Sequence, residues 1–174
     1  MQILVSHIVG CWVIDRSHAQ PIGEVTRLLL DPANLKVAYF EVSSFATDKA
    51  AYVRADQAIL EDSVLTVASE ASLGDQEDFL RDQEIFQTPC VLLGYKAIDR
   101  SKRRLGRITD YTVITPLLRV ERLHIGVPFW QRLLVPERVL SARSVNEVLP
   151  KKRQIIIDQT HASNRVKASE PIAA

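Results

Sequence analysis

The residues of this 174-residue chain best equipped for chemistry are cationic. Lys102-Arg103-Arg104 stands in one turn with Arg100 and Arg107 beside it, and Lys151-Lys152-Arg153 forms a second cluster. Several Lys and Arg side chains within reach of one another can hold phosphates or an acidic surface, and phosphate contacts make such binding fall with salt. A plainer reading stays open beside it: a solvated turn, or a surface that faces acidic residues of the same chain. The second candidate is aromatic. Val127-Pro128-Phe129-Trp130-Gln131 places Phe129 and Trp130 side by side between two predicted strands, either to cap a core or to anchor a partner.

Other reactive residue types do not assemble into a pattern. His7, His18, His124 and His161 are scattered, with no pair at the i, i+4 spacing of a helical metal site. The six glycines match neither nucleotide-binding fingerprint. No Ser-His-Asp or Cys-His arrangement has positional support. Cys11 and Cys90 lack metal-ligand spacing and read as buried free thiols of a reducing cytoplasm. The expectation is a non-enzyme without cofactor or metal.

The elements that must position these residues come in two copies. The first reads Val9-Gly10-Cys11-Trp12-Val13-Ile14-Asp15-Arg16-Ser17, then Ile22-Gly23-Glu24-Val25. The second reads Leu93-Gly94-Tyr95-Lys96-Ala97-Ile98-Asp99-Arg100-Ser101, then Leu105-Gly106-Arg107-Ile108. Gly10 to Gly94 and Asp15 to Asp99 are both 84 apart, and Gly23 to Gly106 is 83. A long repeat that occurs only twice indicates two copies of one small domain. Because Asp15 and Asp99 recur at matching strand ends, their expected job is structural, accepting backbone N–H groups of the following turn.

Periodicity gives each copy short strands and tight turns. In the first, strands are expected over 7–15, 23–31, 36–44, 50–53 and 63–68, with a helical turn at 54–58. In the second they are expected over 91–99, 106–114, 120–126, 132–135, 145–148 and 155–157, with Pro136-Glu137-Arg138-Val139 as the helical turn. In the strand over 36–44, Ala38, Phe40, Val42 and Ser44 form the face suited to a core. Between the copies, 69–87 reads as a short acidic helix capped by Ser72, with Phe79, Leu80 and Ile85 able to dock. The tail 159–174 is polar, lacks apolar periodicity and is expected to be disordered.

The domain reading is thus 1–70, a linker helix 71–88, 89–158 and the tail 159–174. Charge separates the two copies. Residues 1–88 hold six Lys/Arg against fourteen Asp/Glu, a net of −8, whereas 89–157 hold fourteen against five, a net of +9. Such asymmetry speaks about partners, not fold. No stretch approaches the ~20 apolar residues of a membrane span, and 3–14, though apolar, lacks the basic start and small-residue cleavage site of a signal peptide.

A Gly opening the first strand, an Asp closing it, a polar turn, an apolar-Gly-x-[Val/Ile] second strand and a Val-Pro-x-x-x-Val turn together resemble the PRC-barrel family. Here the pattern is Gly94 to Asp99, Leu105-Gly106-Arg107-Ile108 and Val135-Pro136-Glu137-Arg138-Val139. The family includes the cytoplasmic domain of the photosynthetic reaction-centre H subunit and the C-terminal domain of a bacterial ribosome-maturation factor. Two departures stand out: the membrane helix of the former is missing, and the N-terminal half here is itself PRC-like. The resemblance implies a mostly β fold of two small antiparallel PRC-type β-barrels in tandem, joined by a short helix. It implies a non-catalytic scaffold or adaptor of a bacterial cytoplasm that binds a protein partner or large assembly. The alternative is a ribosome- or RNA-associated maturation factor using the basic second barrel, and a homodimer through the oppositely charged halves is a third possibility. The candidate partner-binding residues are Phe129, Trp130, Arg100, Lys102, Arg103, Arg104 and Arg107.

Overall fold

Turn-forming residues divide the chain into strands too short to stand alone, which must share a sheet to satisfy their backbone. A computed structural model describes residues 1–47, 49–126 and 138–158. The first half contains β1 (Gln2–Leu4), α1 (Val5–Ile8), β2 (Trp12–Asp15), β3 (Gln20–Asp31), β4 (Lys36–Ser44), β5 (Ala50–Arg54), β6 (Ala58–Glu61) and β7 (Val64–Val67). After α2 (Gln83–Gln87) come β8 (Lys96–Asp99), β9 (Arg104–Ile114), β10 (Arg119–Gly126), β11 (Arg138–Ser141), β12 (Val145–Leu149) and β13 (Gln154–Ile157).

The spatial order repeats with the sequence. In the first half it is β6-β7-β2-β3-β4-β5, and in the second β12-β13-β8-β9-β10-β11. All these pairs are antiparallel except β2 with β7 and β8 with β13, which are parallel. The fold is mostly β, as expected, but the described strands form one 13-stranded mixed sheet that does not close.

The seam between the halves is built from matching residues. Lys36 of β4 stands opposite Arg119 of β10. Val37 N donates to Leu118 O at 2.7 Å, and Val120 N donates to Leu35 O at 2.9 Å. Leu35 and Leu118 both adopt left-handed backbone, with φ of 57° and 48°. Each half also takes up the segment that leads into the other. β1 pairs with β9, Ile3 opposite Val113, while Leu30 N of β3 donates to Cys90 O at 2.8 Å. A single buried apolar cluster accordingly holds Ile3, Leu30, Phe40 and Leu65 together with Cys90, Tyr111, Val113 and Ile155.

The glycines of the repeat have two distinct jobs. Gly10 and Gly94 take φ of +86° and +76°, in the region that costs other residues most. Gly23 and Gly106 let two strands approach closely. A Cβ on Gly23 would lie 2.5 Å from Ser43 O, and one on Gly106 2.4 Å from Gly126 O.

Several expected elements are relocated. The apolar start is not one strand: 5–8 is helical, and a turn at Gly10 separates it from β2. β8 likewise begins at Lys96, after a turn at Gly94. β6 was not anticipated, because Asp62-Ser63, both at positive φ, make a tight hairpin within a run read as one turn and one strand. The helical turn of the second half is Ala142–Ser144, not 136–139, since Arg138 and Val139 belong to β11. That places Val145 in step with Ala58, each the first residue of the strand after the turn. The expected strand 132–135 and the tail 159–174 lie outside the described residues.

The linker is three successive 3-10 turns before α2, not one helix. Ser72 ends the first turn rather than capping a helix, and the capping box stands at the second turn, where Asp75 pairs with Asp78. Phe79 and Ile85 dock as expected, whereas Leu80 is exposed. They and Phe86 cover Tyr39, Tyr52 and Leu29, so the second face of β4 is buried at Tyr39 and Glu41, whereas Ser43 stays exposed. A register shift between Leu29 and Leu30 puts Val37, not the expected Ala38, in the main core with Phe40 and Val42. Tyr39 and Phe79 pack edge to face, ring centres 5.0 Å apart. Beneath them Glu41 is buried, receiving Arg27 Nε at 2.9 Å, Thr26 Oγ1 at 2.9 Å and Tyr52 OH at 3.2 Å. Gln76 of the linker donates to Tyr52 OH at 2.9 Å, and Tyr39 OH donates to Asp82.

The two glycine roles separate by substitution. Gly10→Ala meets open space and loses only the backbone term, about 1 kcal/mol. Gly23→Ala must in addition displace Ser43 O and Val42 Cγ1, for a loss of about 2–3 kcal/mol. Urea denaturation midpoints measure both, and a Gly23→Ala protein as stable as Gly10→Ala would contradict the close approach.

Candidate binding faces

Side chains alternate across a strand, so the residue parity that buries Val13 and Asp15 turns Trp12 and Ile14 outward. Their neighbours extend this outer face across four strands. Trp12 stands opposite Glu24, and Ile14 opposite Pro21. On the other side Ile14 pairs with Thr66, which pairs with Ile59, while Val64 beside Trp12 pairs with Glu61. Trp12 is 55% exposed, Ile59 51% and Val64 37%. The result is an apolar sheet face with Glu24 and Glu61 at its rim. A cleft of about 420 Å³ borders it, lined in part by Arg16, Gln57, Ile59 and Thr66.

The same rows in the second half carry different chemistry. Lys96 occupies the place of Trp12 and Arg107 that of Glu24. Ile98 corresponds to Ile14, with Ile156 beside it and Arg104 opposite. This face is a strip of half-buried isoleucines flanked by exposed cations.

The predicted basic residues divide by their commitments. Arg103 is held by Asp99: its N–H donates to Oδ1 at 2.8 Å and its Nε to Oδ2 at 3.1 Å. Arg100 pairs with Asp158 at 2.8 Å and reaches Asn146 Oδ1 at 3.2 Å. Arg107 Nη1 donates to Gly94 O at 2.8 Å. Lys102, at φ 63°, and Arg104 are exposed. Arg153 of the second cluster lies over the Tyr95 ring at 5.9 Å, and the register sets it one residue before Gln154, Lys96's partner, on β13. The two basic clusters therefore flank opposite ends of β8. Phe129 and Trp130 lie outside the described residues.

Asp15 and Asp99 do the structural work expected of them. Asp15 is buried, and its Oδ1 accepts Ser17 N at 2.7 Å and His18 N at 3.2 Å. Its Oδ2 accepts Glu70 N at 3.0 Å, which ties the linker to the first strand. The Ser17 hydroxyl bond above all, joined by His18 and the Glu70 N–H, holds the Asp15 carboxyl well below the usual carboxylate range. Glu41 is also held low: burial opposes its charge, but Arg27 and Thr26 outweigh it. Burial pushes the Cys11 and Cys90 thiols up to about 11, away from thiolate reactivity. Among the described residues no cluster of three His, Cys, Asp or Glu side chains could hold a metal ion, and no helix is long and apolar enough to cross a membrane.

No protein-family model matches this chain, and no curated protein matches it in sequence. The faces must therefore be read from their own chemistry. The Trp12 face is not evident from the sequence pattern, which assigns 7–15 wholly to a core strand. A signal was present in the repeat: Lys96 at the matching position already marks that site as facing water.

The Asp15 geometry sets a pH dependence. A carboxylate whose native pKa is depressed adds stability above its unfolded pKa of about 4, and that stability drains away as pH falls toward the lower native value. Asp15→Asn should therefore be less stable at neutral pH and show a shallower loss between pH 5 and 3 in urea denaturation. Identical acid slopes in the two proteins would rule out this role.

Proposed function

We propose that this chain is a non-catalytic scaffold or adaptor of the PRC-barrel type, binding a protein partner within a larger assembly. Each half sets six strands in the same order, with β2 beside β7 and β8 beside β13 in parallel, and this repeated order supports two tandem PRC-type units. One observation carries the binding reading. The two halves keep the same frame and the same buried Asp, yet present opposite outer faces, Trp12–Ile14–Val64–Ile59 on one and Lys96–Ile98–Arg104–Arg107 on the other. Tryptophan, here exposed on an apolar sheet face, is among the side chains most enriched as interface anchors.

The test is affinity capture from cells that make the protein, comparing wild type with Trp12→Glu and with Phe45→Glu, a comparably exposed aromatic in the loop after β4, outside the four strands of the face. Proteins retained by wild type and Phe45→Glu should be reduced about tenfold or more with Trp12→Glu. Equal retention by all three overturns the reading.

A second reading, RNA association through the basic half, is favoured by the exposed Lys102 and Arg104 and by the cations at both ends of β8. It predicts binding to structured RNA that falls steeply with salt. Lys102→Glu with Arg104→Glu should lower the slope of log K against log salt by about 1 for each phosphate no longer neutralised. Absent or salt-insensitive binding removes this reading.

A further inference from the structure

The two outer faces complement one another in chemistry. The Trp12 face is apolar with carboxylates at its ends: the row Glu61–Val64–Trp12–Glu24 places an acid on either side of the aromatic. The corresponding row of the second half is Leu149–Gln154–Lys96–Arg107, and beside it runs Ile156–Ile98–Arg104. Two isoleucines form an apolar strip that Trp12 and Ile59 can cover. Lys96 and Arg107 then meet Glu61 and Glu24, and Lys96 or Arg104 can stand over the indole. Both faces lie on the one sheet and share their register, and stacked sheet faces pack about 10 Å apart. The net charges of −8 and +9 on the two halves act in the same sense at longer range.

Among the described residues, the ion pairs formed within the chain draw on other side chains. Arg27 with Glu41, Arg54 with Asp56 and Asp82, Arg100 with Asp158, and Arg103 with Asp99 each join residues of one half or its adjoining segment. None of these pairs crosses between the halves, which are joined by backbone hydrogen bonds and apolar side chains and by Ser6 N donating to Asp110 Oδ1 at 3.3 Å.

We infer that the Trp12 face of one molecule docks on the Lys96–Ile98–Arg104–Arg107 face of a second copy of this chain. The inference rests on the scaffold reading and names its partner. The contact is heterologous, since different faces meet, so it closes into a ring or extends as a chain according to the angle between faces. Either form would present repeated scaffolds in register.

Sedimentation velocity of the full chain tests this. Wild type should gain mass with concentration, and association should weaken about tenfold or more from about 50 mM to about 500 mM NaCl. Trp12→Glu with Ile59→Glu removes one face, and Lys96→Glu with Arg104→Glu removes the other; each protein alone should stay monomeric. Mixed in equal amounts, the two should form a heterodimer and nothing larger, because only one face of each remains. Recovery on mixing also shows that both variants are folded. The inference is overturned if wild type stays monomeric at low salt, if the Lys96/Arg104 variant still self-associates, or if the mixture does not recover. A monomeric wild type whose captured proteins nevertheless disappear with Trp12→Glu defeats self-association and leaves the scaffold reading standing. A monomeric wild type with unchanged capture defeats both.

Discussion

Two reciprocal hydrogen bonds, Val37 N to Leu118 O and Val120 N to Leu35 O, make one molecule of two repeats. They close only because Leu35 and Leu118 both turn left-handed and bring the starts of β4 and β10 alongside. Left-handed backbone costs an ordinary residue roughly 1–2 kcal/mol. Here the cost is offset by burial, since both leucines sit in the shared apolar cluster. Small repeats of this size cannot each bury much surface alone, and the seam answers that shortage. β1 lies on β9 and Cys90 lies against Leu30, so each half completes the core of the other.

Once the seam exists, the frame of each half follows from a few residues. Gly10 and Gly94 turn the chain into the first strand, Gly23 and Gly106 admit the neighbouring strand, and Asp15 and Asp99 fasten the turn between them. The fastening differs in detail. Asp15 reaches beyond its own turn to Glu70 N and anchors the linker, whereas Asp99 commits both oxygens to Arg103. The cross-strand polar pairs have diverged as well. Arg27 faces Glu41 in the first half, and Asp110 faces His124 at the same register in the second. The acid has moved to the other strand. The frame is kept by backbone geometry, and charge is free to change sign around it.

This division explains what could be read in the sequence. Strands such as β3, β4, β9 and β10 declare themselves, because each is long, rich in branched and aromatic residues and bounded by turn-formers. The shared Gly and Asp positions revealed the duplication and their structural role. What could not be read depends on tertiary contacts. The four residues of α1 stand within an apolar run that reads as strand, and they coil between β1, which pairs with β9, and the turn at Gly10. β6 hides behind two left-handed residues, Asp62 and Ser63, that periodicity does not register. The second face of β4 looked half polar, since Glu41 and Tyr39 are buried only by what the linker lays over them. Among candidate site residues, Arg103 looked like part of a free basic turn because its partner Asp99 was assigned only to the backbone.

The same division bears on where recognition lies. Residues that maintain the frame point inward or along the seam, and they are matched between halves. Outward positions carry no such duty, so nothing in the fold requires a tryptophan at position 12 where its counterpart is a lysine. A large aromatic left 55% exposed gains little from its own fold. It gains only when another surface covers it. The counterpart face is suited to a cover of that kind, because Ile98 and Ile156 are half-buried already and lose little water in taking an indole. The cations around them would otherwise repel one another across β8 and β9. An acidic-rimmed apolar face relieves both liabilities at once, which neither a purely acidic nor a purely apolar partner would do.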